Sequence, residues 1–380
     1  MSTPSPASAS SPSAGPWPRT SRSWRRSRAA RRGDHEHGDL RRRSRHPNGH
    51  RTWARRGGLN LSTALVLGAG GTVGMAYHAG VLRALEEVGG IRPDAADLVI
   101  GTSAGSMVGA MLRSGLTTED LYQASLGEHP VIGHHDQRSP WAAAWDGPVD
   151  AMRRLLGSMY VLQRSALRMP VPPLPAFLRR AFPGGFFTID DAEDTMAEVL
   201  ATEWPERPLW LVTVDVRTGR RVVLGSRDPV RADLPTAVKA SCAIPAFFQP
   251  QRVRGRTLVD GGVHSTSNLD LATGIAADVV IGVVPMAFDT APRPALVHQV
   301  GRLHAHRQLE RELAEVRGTG AAVLLLRPTE EDLNAFGGLN MMRRHGNERV
   351  ARVAYESASR QLATPYARSV LDRVQDAVSS

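Results

Sequence analysis

Residues 97–112, DLVIGTSAGSMVGAML, set Ser103 in a Gly-x-Ser-x-Gly pattern between an apolar run and a stretch of small and apolar residues at helical spacing. Such a chain can leave a strand, turn sharply and enter a helix, so that the serine hydroxyl stands at the sheet edge beside the unpaired N–H groups of the helix start. The chemistry this suits is acyl transfer, in which an activated serine attacks a carbonyl and holds the acyl group covalently. Gly101 and Gly105 are the small residues that the turn needs. The five-residue pattern alone also fits a glycine-rich helix start, and Ser106, one helical turn further in, lacks the turn.

A serine hydroxyl is a poor nucleophile until a base takes its proton. Of the thirteen histidines, His35, His37, His46 and His50 fall in an N-terminal stretch rich in Ser, Pro and Arg, and His129, His134 and His135 in a segment without strand pattern. His298, His304 and His306 belong to a charged amphipathic helix, and His345 sits at no strand end. His264 is the best-placed histidine, just beyond a double glycine. Asp260 is placed better still. TLVDGGVHSTSNLDLA puts its carboxylate at the C-terminal end of an apolar strand, followed by Gly261, Gly262 and a Ser/Thr/Asn cluster that reads as a helix start. That edge of an open α/β sheet is where sites form. A carboxylate within about 2.6–3.2 Å can take a serine proton directly, provided burial lifts its pKa above the ordinary value near about 3.9. The alternative for Asp260 is turn stabilisation, which is the reading for Asp215 in VDVRTGR.

LVLGAGGTVGMAYHAG supplies a glycine-rich turn through Gly68, Gly70, Gly71 and Gly74. A dinucleotide fingerprint starting at Gly68 would need glycine where Val73 stands, and an acidic residue at the end of the second strand, where the serine turn lies instead. An oxyanion hole explains the turn better, because glycines let backbone N–H groups face a carbonyl oxygen. The expected donors are the N–H groups of Gly70, Gly71 and Thr72. A metal site at His134, His135 and Asp136 is disfavoured, since adjacent loop residues rarely converge on one ion without further ligands.

These residues need a sheet to position them. Short aliphatic strands alternate with amphipathic helices from Leu59 onward: 63–68, 97–101, 209–216 with a hairpin partner at 220–225, 256–262, 278–285 and 321–328. Continuous Val, Ile and Leu runs predict strands covered on both faces, hence an α/β fold with a mainly parallel central sheet. Residues 127–187, rich in Pro, Trp, Phe and Arg, read as a helical cap insertion or as a plain helical layer on the sheet. Residues 286–380 read as a helical region with one further strand, packed on the same domain.

Charge divides the chain at the same place. Residues 1–58 carry 14 arginines against 3 acidic residues, leaving 33 basic and 34 acidic residues for the remainder. We read 1–58 as a disordered tail, and the body has no electrostatic footprint for specific nucleic-acid binding. Lys239 is the sole lysine. The single cysteine, Cys242, permits no internal disulfide and suits a reducing compartment. No apolar segment follows the paired arginines of SWRRSRAARRG, and no run of roughly 18 apolar residues exists. The expectation is a cytoplasmic protein able to rest peripherally on a membrane surface, with no protein partner inferable.

Taken in order, the blocks GAGGTVG, GTSAGS and LVDGG, with ASCAIPAFF before the last, resemble the patatin-like phospholipase family over 59–285. The resemblance implies a three-layer α/β/α patatin-like fold without metal or cofactor. It also implies a lipid acyl hydrolase using a Ser-Asp dyad, with Ser103 as nucleophile, Asp260 as proton acceptor and the Gly70–Gly71 region as oxyanion hole. Ala69 stands where the family loop has its first glycine and Val73 where it has a basic residue. The backbone donors are kept, whereas the lost charge bears on whether an anionic phospholipid head is preferred. The other functions considered are a catalytically silent scaffold of the same fold, a nucleotide-binding module, and a carboxylesterase whose triad uses His264.

Overall fold

The computed structural model describes residues 62–130, 132, 148–165, 199–225, 232–289, 300–338, 340–343 and 345–379, all within the unit Thr52–Ser380. The tail 1–58, most of the expected cap at 127–187, and His134, His135, Asp136 and His298 lie outside the described residues. In chain order the elements are β1 (Thr63–Leu67), α1 (Gly71–Glu87), β2 (Leu98–Thr102), α2 (Ala104–Arg113), α3 (Thr118–Leu126), α4 (Pro148–Ser165), β3 (Leu209–Asp215), β4 (Arg220–Leu224), α5 (Leu234–Ser241), β5 (Gln251–Val253), β6 (Arg256–Asp260), β7 (Val279–Val283), α6 (Val300–Gly318), β8 (Ala322–Leu326), α7 (Glu330–Phe336), α8 (Asn347–Leu362) and α9 (Pro365–Ser379).

The described residues form one sheet of eight strands, in the order β5-β6-β3-β2-β1-β7-β8, with β4 also on β3. The pairs β1–β2, β1–β7, β2–β3 and β7–β8 are parallel, and the pairs β3–β4, β3–β6 and β5–β6 are antiparallel. Every residue of β1, β2 and β7 is buried, as the uninterrupted aliphatic runs require of strands covered on both faces. Alternation along β1 separates the two sides. Leu65 and Leu67 pack with Tyr77 and Leu82 of α1, Val108 of α2 and Val350 and Ala354 of α8. Ala64 and Val66 pack with Leu309, Leu313 and Val316 of α6. The sheet therefore lies between two helical layers.

Two features depart from the sequence reading. Strand β5 was not expected, because three residues are too few to show a period. The Ser/Thr/Asn cluster after β6 leads not into an α-helix but into a 3₁₀ segment, Leu269–Ile275. Its side chains compete with the backbone for hydrogen bonds: Ser265 Oγ accepts from the N–H groups of Ser267 and Asn268, and Asn268 adopts a left-handed conformation with φ 50°.

The C-terminal α8 lies on α1 so closely that a Cβ at Gly80 would fall 2.2 Å from the Ala351 carbonyl oxygen and 3.0 Å from Ala354 Cβ. In an uncrowded helix glycine-to-alanine is stabilising by about 1 kcal/mol. Gly80→Ala is expected to do the opposite, costing about 3 kcal/mol because the helices must separate. Urea unfolding checks the sign, and a stabilised variant would contradict this packing.

Candidate active site

The pairings of β3 explain how residues 157 positions apart meet. β4 pairs along Leu211–Asp215 of β3, so β2, on Leu209–Val212, and β6, on Thr213–Asp215, must both lie on the opposite edge. They arrive head-on: Thr102 faces Val212, and Asp260 faces the next residue, Thr213. The carboxyl end of each strand thus meets the other, Ser103 following directly on Thr102. Ser103 and Asp260 are each 4% exposed.

Ser103 occupies the turn between β2 and α2 with φ 54° and ψ −118°. This is a strained conformation for a residue with a side chain, the kind found at sites where geometry is imposed by surroundings. The surroundings are specific. Its N–H donates to Ser241 Oγ at 3.1 Å, Ser241 Oγ donates to the Val212 carbonyl at 2.6 Å, and Ser106 Oγ lies 2.6 Å from Ser241 Oγ. With the Ser241 proton committed to Val212, Ser106 is the donor in that last pair, so it serves as structural support behind the turn. Gly105 has no room for a side chain, since a Cβ there would lie 2.0 Å from the Leu67 carbonyl oxygen. Gly101 is similarly pressed against Ser106.

The Asp260 carboxyl accepts a hydrogen bond from the Gly262 N–H at 2.7 Å. Burial raises its pKa to about 6, and the nearby Ser103 side chain and the Gly262 N–H moderate the rise. Gly261 and Gly262 form the first turn of a short 3₁₀ segment that Asp260 caps. Cys242 lies against the same pair: Sγ donates to the Ser103 carbonyl at 3.4 Å. Burial, and after it the Asp260 charge, push the thiol up, so it remains protonated.

The glycine loop hangs between β1 and α1. The N–H groups of Gly68 and Ala69 donate to the carbonyls of Val283 and Thr266, and those of Val73 and Gly74 to Met341 and Gly70. Among the described residues, the N–H groups of Gly70, Gly71 and Thr72 are left without an acceptor, as is that of Ala104 at the start of α2. Gly71, at φ 60°, takes the left-handed turn that opens α1. The carbonyl of Gly68 accepts from the Gly105 N–H at 3.2 Å and from His78 Nε2 at 2.8 Å. Thr72 Oγ1 donates to the Arg343 carbonyl at 2.6 Å, with the Met341 carbonyl at 3.2 Å.

Several of these supports carry no motif signal. Met341 and Arg343 reach the loop from some 270 residues away, and His78 is one position inside an ordinary helical pattern. Asn268 donates to Thr102 Oγ1 at 3.1 Å and to the Ser265 carbonyl, while its Oδ1 accepts from Arg221. That partner set fixes the orientation of its amide. Asp215 behaves as a turn residue, accepting from the Arg217 N–H at 2.8 Å. His264 follows the 3₁₀ turn, its N–H on the Gly261 carbonyl and its own carbonyl accepting from Gln308. The described residues contain no group of three or more His, Cys, Asp or Glu able to hold a metal ion.

Fold and site together define an α/β protein with a serine on a strained strand-to-helix turn and a buried carboxylate at the facing strand end. The family model described as patatin-like phospholipase matches residues 65–273, more than half of the chain, and the chain belongs to that family. Two curated relatives, the uncharacterized NTE family proteins Mb1092c of Mycobacterium bovis and Rv1063c of Mycobacterium tuberculosis, are each 28% identical over 233 residues, 60% of this chain and 50% of theirs. The chain spans about half the length of these relatives. Among solved structures, VipD from Legionella pneumophila aligns with 16% identity and a TM-score of 0.41 over 80% of this chain and 67% of that one. The type III effector protein ExoU aligns with 17% identity and a TM-score of 0.33 over 80% of this chain and 53% of its own.

Proposed function

We propose that the protein hydrolyses carboxylic ester bonds of lipids through an acyl-enzyme, with Ser103 as nucleophile and Asp260 as its only proton acceptor. The observation that carries this reading is the meeting of two strand ends that sets Ser103 beside Asp260, both buried, with the carboxyl pKa raised to about 6 by that burial. A base near that value is ionised at neutral pH and still holds a proton well enough to take one.

In the proposed cycle Ser103 Oγ attacks the ester carbonyl carbon while its proton passes to the Asp260 carboxylate. The N–H groups of Gly70, Gly71 and Thr72, with that of Ala104, stabilise the oxyanion. As the carbon–oxygen bond to the alcohol breaks, Asp260 returns the proton to the leaving oxygen. Water then attacks the acyl-enzyme, again giving a proton to Asp260. The fatty acid leaves, and Ser103 Oγ regains the proton. No step requires a cofactor.

A lipidic ester is favoured over a water-soluble one by α4. Its inner residue Val161 packs on Val259, next to Asp260, and on Val214. Its outer face carries Met152, Leu155, Leu156 and Met159, all exposed and spaced i, i+3, i+4 and i+7 along one helical stripe. No described helix is long and apolar enough to cross a membrane. Through this exposed face of α4 the approach to lipid is proposed to be peripheral, from a cytoplasmic location.

The test is a panel of nitrophenyl esters of increasing chain length beside defined phospholipids, combined with a fluorophosphonate probe. Turnover favouring longer acyl chains and a phosphonyl adduct mapped by mass spectrometry to Ser103 are expected. An unlabelled, inactive protein would point to the silent-scaffold alternative. Loss of activity in His264→Gln would point to the triad alternative.

A further inference from the structure

His78 lies in the middle of α1 and is fully buried. Its side chain reaches back toward the start of the helix, as helical side chains do, and brings Nε2 to 2.8 Å from the Gly68 carbonyl oxygen. A carbonyl only accepts, so Nε2 carries the proton. The other ring nitrogen, Nδ1, is buried without a partner in the described structure. Burial holds the imidazole pKa down at about 3, so the ring stays neutral and the donor stays in place over the working pH range.

The acceptor is what gives this bond consequence. Gly68 is the last residue before the glycine loop, and its carbonyl takes two donors: His78 Nε2 from α1 and the Gly105 N–H from the turn that carries Ser103. On its other side its N–H is tied to Val283 of β7. One residue therefore joins β7, the helix after the loop and the serine turn. Two to four residues further on stand Gly70, Gly71 and Thr72, whose N–H groups have no acceptor among the described residues. The Ala69 N–H on Thr266, the Val73 N–H on Met341 and Thr72 Oγ1 on Arg343 hold the rest of the loop, and the Gly68 carbonyl is the anchor that ties its start to α1 and to the serine turn together.

We infer that His78 is a positioning residue for the oxyanion hole: its Nε2–H fixes the Gly68 peptide, and through it the aim of the Gly70, Gly71 and Thr72 N–H groups relative to Ser103. The inference rests on the acyl-hydrolase reading above. It assigns His78 no proton transfer, and the residue touches no reacting atom. Oxyanion donors act on the transition state more than on bound substrate, so the loss of this bond appears in kcat rather than KM.

The experiment compares wild type, His78→Phe, which keeps a ring without the donor, and His78→Gln, whose amide places an N–H near the position of Nε2. With a nitrophenyl ester, His78→Phe is expected to lower kcat by about 30-fold with KM changed less than about twofold, in line with a weakened rather than deleted oxyanion donor set. His78→Gln is expected to recover most of that loss. Equal kcat in wild type and His78→Phe overturns the inference. So does a His78→Gln enzyme no better than His78→Phe, because a packing role would predict that result. If His78→Phe fails to fold, histidine-labelled wild type decides by NMR. A slowly exchanging imidazole N–H that shifts when Ser103 is phosphonylated is expected, and an unprotonated Nε2 or an unmoved resonance rejects the inference. Absence of both turnover and Ser103 labelling in wild type would instead refute the acyl-hydrolase reading, while the imidazole N–H would still report on the Gly68 bond.

Discussion

An Asp260→Asn protein is expected to hydrolyse esters about a thousandfold more slowly than wild type and yet to unfold at a higher temperature at pH 8. Both effects have one cause. The carboxyl sits where burial disfavours its charge, raising its pKa from the ordinary 3.8 to about 6. Asparagine keeps the shape and an acceptor for the Gly262 N–H, but it cannot take the serine proton. The sign of the stability effect follows from proton binding. Between 3.8 and about 6 the folded state holds a proton that the unfolded state has released, so stability falls as pH rises through that window. Above about 6 the full cost is present, on the order of 3 kcal/mol as a ceiling. Asp260→Asn removes it, so its advantage over wild type is greatest at pH 8 and vanishes below about pH 4. Activity runs the other way. The base works only when ionised, so wild-type kcat/KM should climb as pH rises through about 6 and then level off, without a second limb from a histidine. Thermal melts at pH 4 and pH 8, together with a pH–rate profile, test this account. An Asp260→Asn enzyme that keeps activity, or that is less stable than wild type at pH 8, would sink it.

What the sequence made legible was local. The aliphatic runs marked β1, β2, β3, β6, β7 and β8, because strands covered on both faces leave uninterrupted Val, Ile and Leu. The glycines around Ser103 and after Asp260 marked sharp turns, because only small residues tolerate backbone as close as Leu67 stands to Gly105. What was not legible depends on register and on long-range packing. That β2 and β6 share one edge of β3 is fixed by which residues pair, and no strand's own composition encodes its neighbour's position. The loop at Met341–Arg343 contacts Thr72 through its carbonyls, and carbonyls are common to every residue type. Ser241 looks like any small residue near a helix end until Ser103, Ser106 and Val212 close around it. The mis-assigned helix after β6 has the same origin. Its Ser and Asn side chains bond into the site, Asn268 reaching Thr102 beside the nucleophile, and they thereby give up the backbone pattern of an α-helix.

Two replacements of Ser103 are expected to be equally inactive and unequally stable. Removing the hydroxyl, as alanine or as glycine, eliminates the nucleophile and should lower kcat/KM by about 10⁴-fold or more. The backbone at this position has φ 54° and ψ −118°, which glycine adopts freely and residues with a Cβ resist at roughly 1–3 kcal/mol. Alanine keeps that strain. Glycine relieves it, at a cost of about 0.5–1 kcal/mol in chain entropy, so Ser103→Gly should be more stable than Ser103→Ala by about 1 kcal/mol. Glycine is ordinarily the destabilising choice of the two, so the predicted order reverses the usual one and isolates the strain from the loss of the hydroxyl. If Ser103→Ala proves the more stable by urea unfolding, the turn is not held against the preference of its own side chain, and the network of Ser241, Ser106 and Cys242 behind it has another purpose.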